Sequence, residues 1–151
     1  MRQGLAGWRT TEAGLYMPYN LALLADAHAT AGRPREALSF VAEALAWSQR
    51  TGERWFEAEQ HRLKGELLQL DSDGDGDEAD SCLRRALNLA RAQSARSWEL
   101  RAAMSLARLW RNEGRRDEAS ALLAPVYGWF REGSATPDLK DATALLEDLR
   151  R

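Results

Sequence analysis

The sequence has few of the residues that cross-link or interrupt a chain. It holds one cysteine, Cys82, among 151 residues, so an internal disulfide is excluded and a reducing cytosol is the compartment that fits. We expect Cys82 to be a buried structural thiol rather than a reactive one. Only four prolines are present, β-branched residues are scarce, and alanine, leucine, arginine and glutamate dominate. This composition predicts an all-α protein.

Two further absences limit the classes of function. Cations and anions nearly balance, with 21 Lys and Arg against 23 Asp and Glu and a net charge of −2, which argues against a general nucleic-acid or membrane surface. No apolar run approaches the ~18 residues of a membrane span, and residues 1–15 lack the apolar stretch of a secretion signal. We therefore expect a cytoplasmic protein that binds neither nucleic acid nor membrane.

Small residues recur at a nearly constant interval. One set of three lies in the middle of a predicted helix, and a second set lies early in the helix that follows each of these. The two sets are Ala25, Gly65 and Ala107, and Ala37, Ala79 and Ala119. Neighbours within each set are 40 or 42 residues apart. Because small residues at a fixed period bring backbones together at the same point of each unit, the pattern predicts a helical solenoid.

Turn-forming residues divide the chain into helices. Helices are predicted over 16–31, 34–51, 54–70, 77–93 and 98–112, from about Asp117 towards Gly133, and over 137–150. Glycine ends several of them, Pro34 opens one, and Ser97 is the expected N-cap of the fifth. Pro125 predicts a kink or an early end in the sixth helix because proline lacks an N–H donor.

The predicted helices group into three repeats. The expected units are a remnant of a preceding repeat at 1–15, a first repeat at 16–53, a second at 54–94 with an acidic loop at 71–78, a third at 95–133, and a capping helix at 134–151. Since Leu5, Ala6 and Trp8 look like the tail of an earlier helix, we expect the chain to be the C-terminal part of a longer array. An exposed Trp8 would allow a weak homodimer through this N-terminal segment.

The spacing inside each unit resembles that of tetratricopeptide repeats. The two small residues of a unit are 12, 14 and 12 residues apart, in tracts such as Leu106-Ala107…Gly114…Ala119. The resemblance implies a right-handed superhelix of about three helical hairpins closed by the capping helix. The sequence departs from the family in its longer period, and the aromatic residue usual late in the first helix is present only as Trp110.

Three longer segments resemble the C-terminal end of one group of bacterial signalling proteins. The segments are GERWFEAEQHRLKGELL (52–68), ARSWELRAAMSLARLWRNEGRRDEASALLAPVYGWFREG (95–133) and TPDLKDATALLEDL (136–149). Members of the group join a class III nucleotide-cyclase or DNA-binding domain to a predicted AAA-type ATPase and then to these repeats. No GxxxxGK[ST] phosphate loop is present, so neither activity carries over and we do not expect an enzyme.

The resemblance implies a regulatory module that binds a partner in a concave groove. In tetratricopeptide arrays the first helix of each unit lines that groove. The matching positions are Tyr19, Ala22, Asp26, Glu59, Arg62, Glu66, Gln69, Arg101, Met104, Arg108 and Arg111. The expected occupant is a protein or peptide, from another molecule or from another part of a longer parent chain, with the arginines on its acidic end. Because Ala22 and Asp26 stand where a chaperone-tail clamp needs Lys and Asn, chaperone tails are not expected.

Two alternatives to groove binding stay open. Glu59, Arg62 and Glu66 have i, i+3 and i+4 relations, so they could pair with one another and do nothing else. The same groove could instead receive a small-molecule effector, as in ATP-dependent transcriptional regulators with a similar superhelix. No cofactor is expected under any of these interpretations.

The acidic loop contains a weak calcium candidate. Asp71, Asp73 and Asp75, with Gly76, match the first half of an EF-hand loop. The second half fails because Cys82 replaces the bidentate Glu, so a solvated insertion that favours the next helix start is the preferred interpretation. His28 and His61 are expected to pack rather than to bind metal.

The tryptophans are expected to pack in the core or between repeats. Trp55, Trp98 and Trp110 fall on the first helices of the units. Trp47 and Trp129 fall late in second helices.

Overall fold

The computed structural model describes residues 16–71, 73–130 and 136–151, and these form seven helices and no strand. The helices are α1 (Met17–Thr30), α2 (Pro34–Thr51), α3 (Glu57–Leu70), α4 (Gly76–Ala92), α5 (Arg96–Asn112), α6 (Arg116–Tyr127) and α7 (Pro137–Leu149). The all-α prediction is confirmed for these ranges. The expectations for residues 1–15 and for Gly133 lie outside the described residues.

Most helix bounds follow the prediction closely, and the differences have local causes. The N-cap assigned to Ser97 is wrong: Ala95 caps α5, and Ser97 lies within the helix. The Ala95 N–H closes α4 on the Ala90 carbonyl at 2.9 Å, so α5 can begin at once. Helix α6 ends at Tyr127, two residues after Pro125, which agrees with the early end predicted there.

The turns that follow α1 and α5 have the same construction. Gly32 and Gly114 adopt φ values of 72° and 81°, a region that favours glycine. One residue later, the N–H of Arg33 donates to His28 at 2.9 Å and that of Arg115 donates to Trp110 at 2.8 Å. This is the hydrogen bond of a Schellman motif. The turns after α1 and α5 thus share one local geometry, whereas α3 ends differently, with Asp71 in an extended conformation.

Helix contacts divide the described residues into two rows. Each helix packs against the next one in the chain, and α1 also contacts α3, α3 contacts α5, and α5 contacts α7. In the described part of the chain, α2, α4 and α6 make no comparable contacts with one another. We call α1, α3, α5 and α7 the inner row, and α2, α4 and α6 the outer row.

The periodic small residues lie where the two rows meet. The five alanines of the pattern are completely buried. A Cβ added at Gly65 in α3 would lie 2.6 Å from the Leu83 Cγ of α4, and 3.1 Å from the Ala79 carbonyl oxygen. The α3–α4 approach therefore requires glycine at this position.

Aromatic packing is only partly as predicted. Trp110 is buried and its indole N–H donates to Asp80 at 2.7 Å, while the guanidinium groups of Arg84 and Arg115 lie 4.8 and 4.6 Å from its ring centre. Trp129 lies beyond the end of α6 and is 64% exposed, so the packing predicted for it is wrong. The predicted burial of Cys82 is confirmed. Among the described residues, no helix has both the length and the apolar character needed to cross a membrane.

Candidate ligand-binding surface on the inner row

Three adjoining depressions cross the inner row from α3 to α7. The first is lined by Glu66, Gln69, Leu70, Ser105 and Arg108; the second by Arg62, Arg101, Met104, Ser105, Arg108, Asp138 and Asp141; the third by Arg108, Arg111, Asp141, Ala144, Leu145 and Asp148. All three are open to solvent, and their volumes are about 280, 170 and 380 Å³. Arg108 is common to all three. We call this the inner surface.

Seven of the predicted groove positions of the second and third units meet here. The positions are Glu66, Gln69, Arg62, Arg101, Met104, Arg108 and Arg111. Glu59 lies beneath them and is 5% exposed. The first unit is placed differently: Tyr19 packs its ring against Phe56 and Trp55, and neither it nor the exposed Asp26 lines a depression described here.

The acids of α3 are paired within the helix. The Arg62 guanidinium donates to both Glu59 oxygens, at 2.9 and 2.7 Å, and lies 2.6 Å from a Glu66 oxygen. The Ser105 hydroxyl donates to the same Glu66 oxygen at 2.6 Å. Burial lowers the pKa of Arg62, but the hydrogen bonds to Glu59 and the charge of Glu66 outweigh it and raise the pKa above its usual value. The pairing expected from the i, i+3, i+4 spacing is present.

Two of the three groove arginines of α5 are neutralised by α7. Arg101 donates to Asp138 at 2.8 Å and also lies 3.6 Å from Glu59, and Arg111 donates to Asp148 at 2.9 Å. The arginine-rich end predicted for the groove is therefore matched by aspartates. The sequence pattern predicted only a capping helix at this position, so Asp138 and Asp148 are not among the predicted groove residues.

A sequence signal for these aspartates exists. Asp138, Asp141 and Asp148 stand at i, i+3 and i+10 of α7, which places them on one face of an α-helix at 100° per residue. The adjoining face of the same helix buries its leucines. The spacing therefore indicates an acidic stripe along α7, but it does not indicate which side chains of other helices contact that stripe.

Arg108 and Asp141 remain without such partners. Among the described residues, neither side chain makes an ion pair or a hydrogen bond, although both line the second and third depressions. Arg108 is half-buried in α5, and Asp141 is exposed on α7. The surface therefore offers one uncompensated cation and one uncompensated anion.

The acidic loop uses its carboxylates for contacts within the protein. Arg35 of α2 contacts both Asp71, at 3.3 Å, and Asp73. Asp75 accepts the N–H groups of Asp77 and Glu78, at 2.9 and 3.3 Å, and so caps α4. In the described ranges, no group of three or more His, Cys, Asp or Glu is arranged to hold a metal ion.

His61 lies on α3 away from the depressions and is buried, as expected for a packing residue. Burial, and to a lesser extent the nearby Arg85, lowers its pKa to about 4 against the opposing effect of Glu57. Neither ring nitrogen has a hydrogen-bond partner among the described residues. The imidazole is therefore neutral in the folded protein at pH 7.

Comparison with known proteins gives no assignment, because no family model matches the chain and a search of curated proteins finds no match. The function must then be inferred from the inner surface and from the sequence resemblances.

Proposed function

We propose that this chain is a tetratricopeptide-like solenoid that binds a peptide segment of a partner on its inner surface. Its role would be that of a regulatory interaction module in a bacterial signalling ATPase or nucleotide cyclase. The observation that carries the proposal is the position of Arg108, a half-buried and unpaired arginine where three open depressions meet.

The contact pattern supports a solenoid. In a repeat array each unit contacts only its neighbours, and one helix of each unit packs on its counterpart in the next. The α1–α3, α3–α5 and α5–α7 contacts have this character. The matching turns after α1 and α5, and the buried small residues, are the local features that such an array would repeat.

The shape of the surface favours a peptide over a small molecule. Pockets for small molecules are enclosed and have volumes of about 300–1,000 Å³. Here the depressions are open, mostly smaller, and adjoin one another across three helices. Packed helices are about 8–10 Å apart, and an extended peptide rises about 3.3 Å per residue. Every third residue of such a peptide would face a new helix.

The regulatory role rests on the resemblance of segments 52–68, 95–133 and 136–149 to the ends of signalling ATPases and cyclases. The chemistry of the inner surface is compatible with it. Most of its charged side chains are engaged in ion pairs within the protein, and the Ser105 hydroxyl contacts Glu66 and the Arg101 carbonyl. The remaining charged groups would bind and orient a ligand, and we assign no group of the surface a catalytic step.

A selection experiment tests this proposal. Random twelve-residue peptides displayed on phage are selected on the full 151-residue chain, and the best sequences are synthesised and titrated into ¹⁵N-labelled protein. We expect amide shifts at Gln69, Ser105, Arg108 and Ala144, and weaker binding by Arg108→Gln. Arg50→Gln, the same charge change on α2 of the outer row, is the matched control. If selection yields no binder, or if the shifts map to α2, α4 and α6, the proposal is wrong.

A further inference from the structure

We infer that the peptide bound by the inner surface carries, in order, an apolar residue, an acidic residue and a basic residue, which contact Leu70, Arg108 and Asp141. This inference rests on the proposed function and adds the chemistry of the ligand to it. It follows from which groups of the surface are satisfied by the protein and which are not.

A ligand could bind one of the paired charges only by breaking an ion pair of the protein. Each of these ion pairs holds together two helices or two turns of one helix. Arg62 is bound by Glu59 and Glu66, and Arg101 and Arg111 are bound by aspartates of α7. A ligand carboxylate at any of these arginines would have to displace a protein carboxylate already within 3 Å. These sites therefore gain little from an anionic ligand.

Arg108 has no such competitor. Its guanidinium has donors in a planar fork that suits a carboxylate, and a carboxylate can accept two of them in parallel. The half-buried position strengthens the interaction relative to a fully exposed arginine because solvent screens it less. A side-chain carboxylate of an acidic residue is the ligand group that this site lacks.

Asp141 gives the ligand its second charge. It lines the second and third depressions beside Arg108, yet it has no partner in the described part of the chain. A purely acidic peptide would place its next carboxylate near this aspartate and be repelled. A lysine or arginine at that position would instead be attracted, so the surface selects an acid followed by a base.

Leu70 gives the ligand its apolar end. The first depression, beside α3, is lined mostly by apolar atoms, and Leu70 at its rim is 63% exposed. An apolar side chain placed there would remove both surfaces from water. Because the three features lie on α3, α5 and α7 in turn, the acidic residue of the ligand must stand between the apolar and the basic one, whichever way the peptide runs.

The competing explanation is that Arg108 and Asp141 attract only each other. They face the same two depressions without forming an ion pair in this structure. In that case each substitution would affect the stability of the protein and not the charge preference of a ligand. The test must therefore read out charge discrimination rather than affinity alone.

Four capped, fluorescein-labelled heptapeptides provide that readout by fluorescence anisotropy. The parent is Leu-Ser-Ser-Glu-Ser-Ser-Lys, and the others replace Glu, Lys or both by Gln. We expect each replacement to weaken binding to the full chain about fivefold, the size of a partly exposed charge pair. Arg108→Gln should abolish the preference for Glu over Gln and keep the preference for Lys. Asp141→Asn should do the reverse, and Arg50→Gln should change neither.

The outcomes separate the inference from the proposed function. If Arg108→Gln and Asp141→Asn, both folded by circular dichroism, leave the two charge preferences intact, the inference is wrong. It is also wrong if none of the heptapeptides binds, whereas the proposed function then still stands if phage-selected peptides bind the inner surface. If Arg108→Gln does not fold, Arg108→Lys should fold and retain part of the preference for Glu, and an unchanged preference there would count against the bidentate contact.

Discussion

The α3–α4 approach at Gly65 yields the sharpest stability prediction. Gly65→Ala would add a methyl group whose carbon lies 2.6 Å from the Leu83 Cγ and 2.8 Å from its Cδ2. Leu83 is completely buried and cannot swing into solvent, so α3 and α4 must separate or Leu83 must leave its rotamer. Overpacking of this kind costs about 1–3 kcal/mol. The helix propensity gained over glycine returns about 1 kcal/mol, and we expect a net loss of up to about 2 kcal/mol.

A double-mutant cycle isolates the steric cause. Leu83→Ala alone should cost about 2–5 kcal/mol through the cavity that it leaves. In that background the added methyl group no longer meets the Leu83 side chain and keeps only the 3.1 Å approach to the Ala79 carbonyl oxygen, so Gly65→Ala should stabilise by up to about 1 kcal/mol. The sign of the Gly65→Ala effect thus reverses between the two backgrounds. Gly76→Ala is the matched control, because a Cβ there meets nothing within 4 Å.

Urea unfolding followed by circular dichroism at 222 nm measures these free energies. Gly65→Ala should lower the unfolding midpoint without a change in slope. A stabilising effect of Gly65→Ala in the otherwise unchanged protein would refute the close approach of the two helices. An equal loss in both backgrounds would show that the added methyl group meets something other than Leu83.

Five further substitutions test individual side-chain contacts. Arg62→Met should lower the free energy of unfolding in urea by about 2–4 kcal/mol, because it leaves the buried carboxylate of Glu59 without this partner. Arg108→Gln should change that free energy by less than about 0.5 kcal/mol. Equal losses would contradict the difference in pairing between the two arginines. Trp110→Phe should lose about 2 kcal/mol with its hydrogen bond to a carboxylate, and the exposed Trp129→Phe less than about 1 kcal/mol, in the same assay. His61 has a folded-state pKa of about 4 against 6.5 when unfolded, so the unfolded chain binds the extra proton and stability falls as the pH drops from 6.5 towards 4. His61→Met should remove about 2 kcal/mol of this decline between pH 7 and 5. Parallel pH profiles for the two proteins would show that His61 is not its source.

Much of the local structure could be predicted from the sequence because it depends on neighbouring residues. The glycines at 32 and 114 end helices by adopting positive φ, and this requirement is visible in a single residue type. Helix α2 has the predicted bounds of 34–51 because Pro34 and Gly52 mark its ends. Ser97 shows the limit of such local prediction. It is a residue type that often caps helices, but the tight turn from Ala90 to Ala95 places the start of α5 before it.

The candidate site was less predictable because its chemistry depends on contacts between distant residues. The spacing predicted that Arg101, Arg108 and Arg111 share one face of a helix, and all three line the depressions of the inner surface. It could not show that aspartates 37 residues later would neutralise two of the three. Which of these three arginines lacks an ion-pair partner among the described residues depends on the register in which α7 packs on α5.

The sequence by itself determined the helical composition, the two-helix period and the small residues at which backbones meet, since each is a property of one helix or of a regular interval. Only the tertiary structure decided which charges hold helices together and which have no partner among the described residues. The reason is physical: helix periodicity is set by local backbone geometry, whereas an ion pair requires two side chains to meet within about 3–4 Å. Whether they meet is fixed by how α3, α5 and α7 pack, and within the described ranges this packing leaves Arg108 and Asp141 without an ion-pair partner.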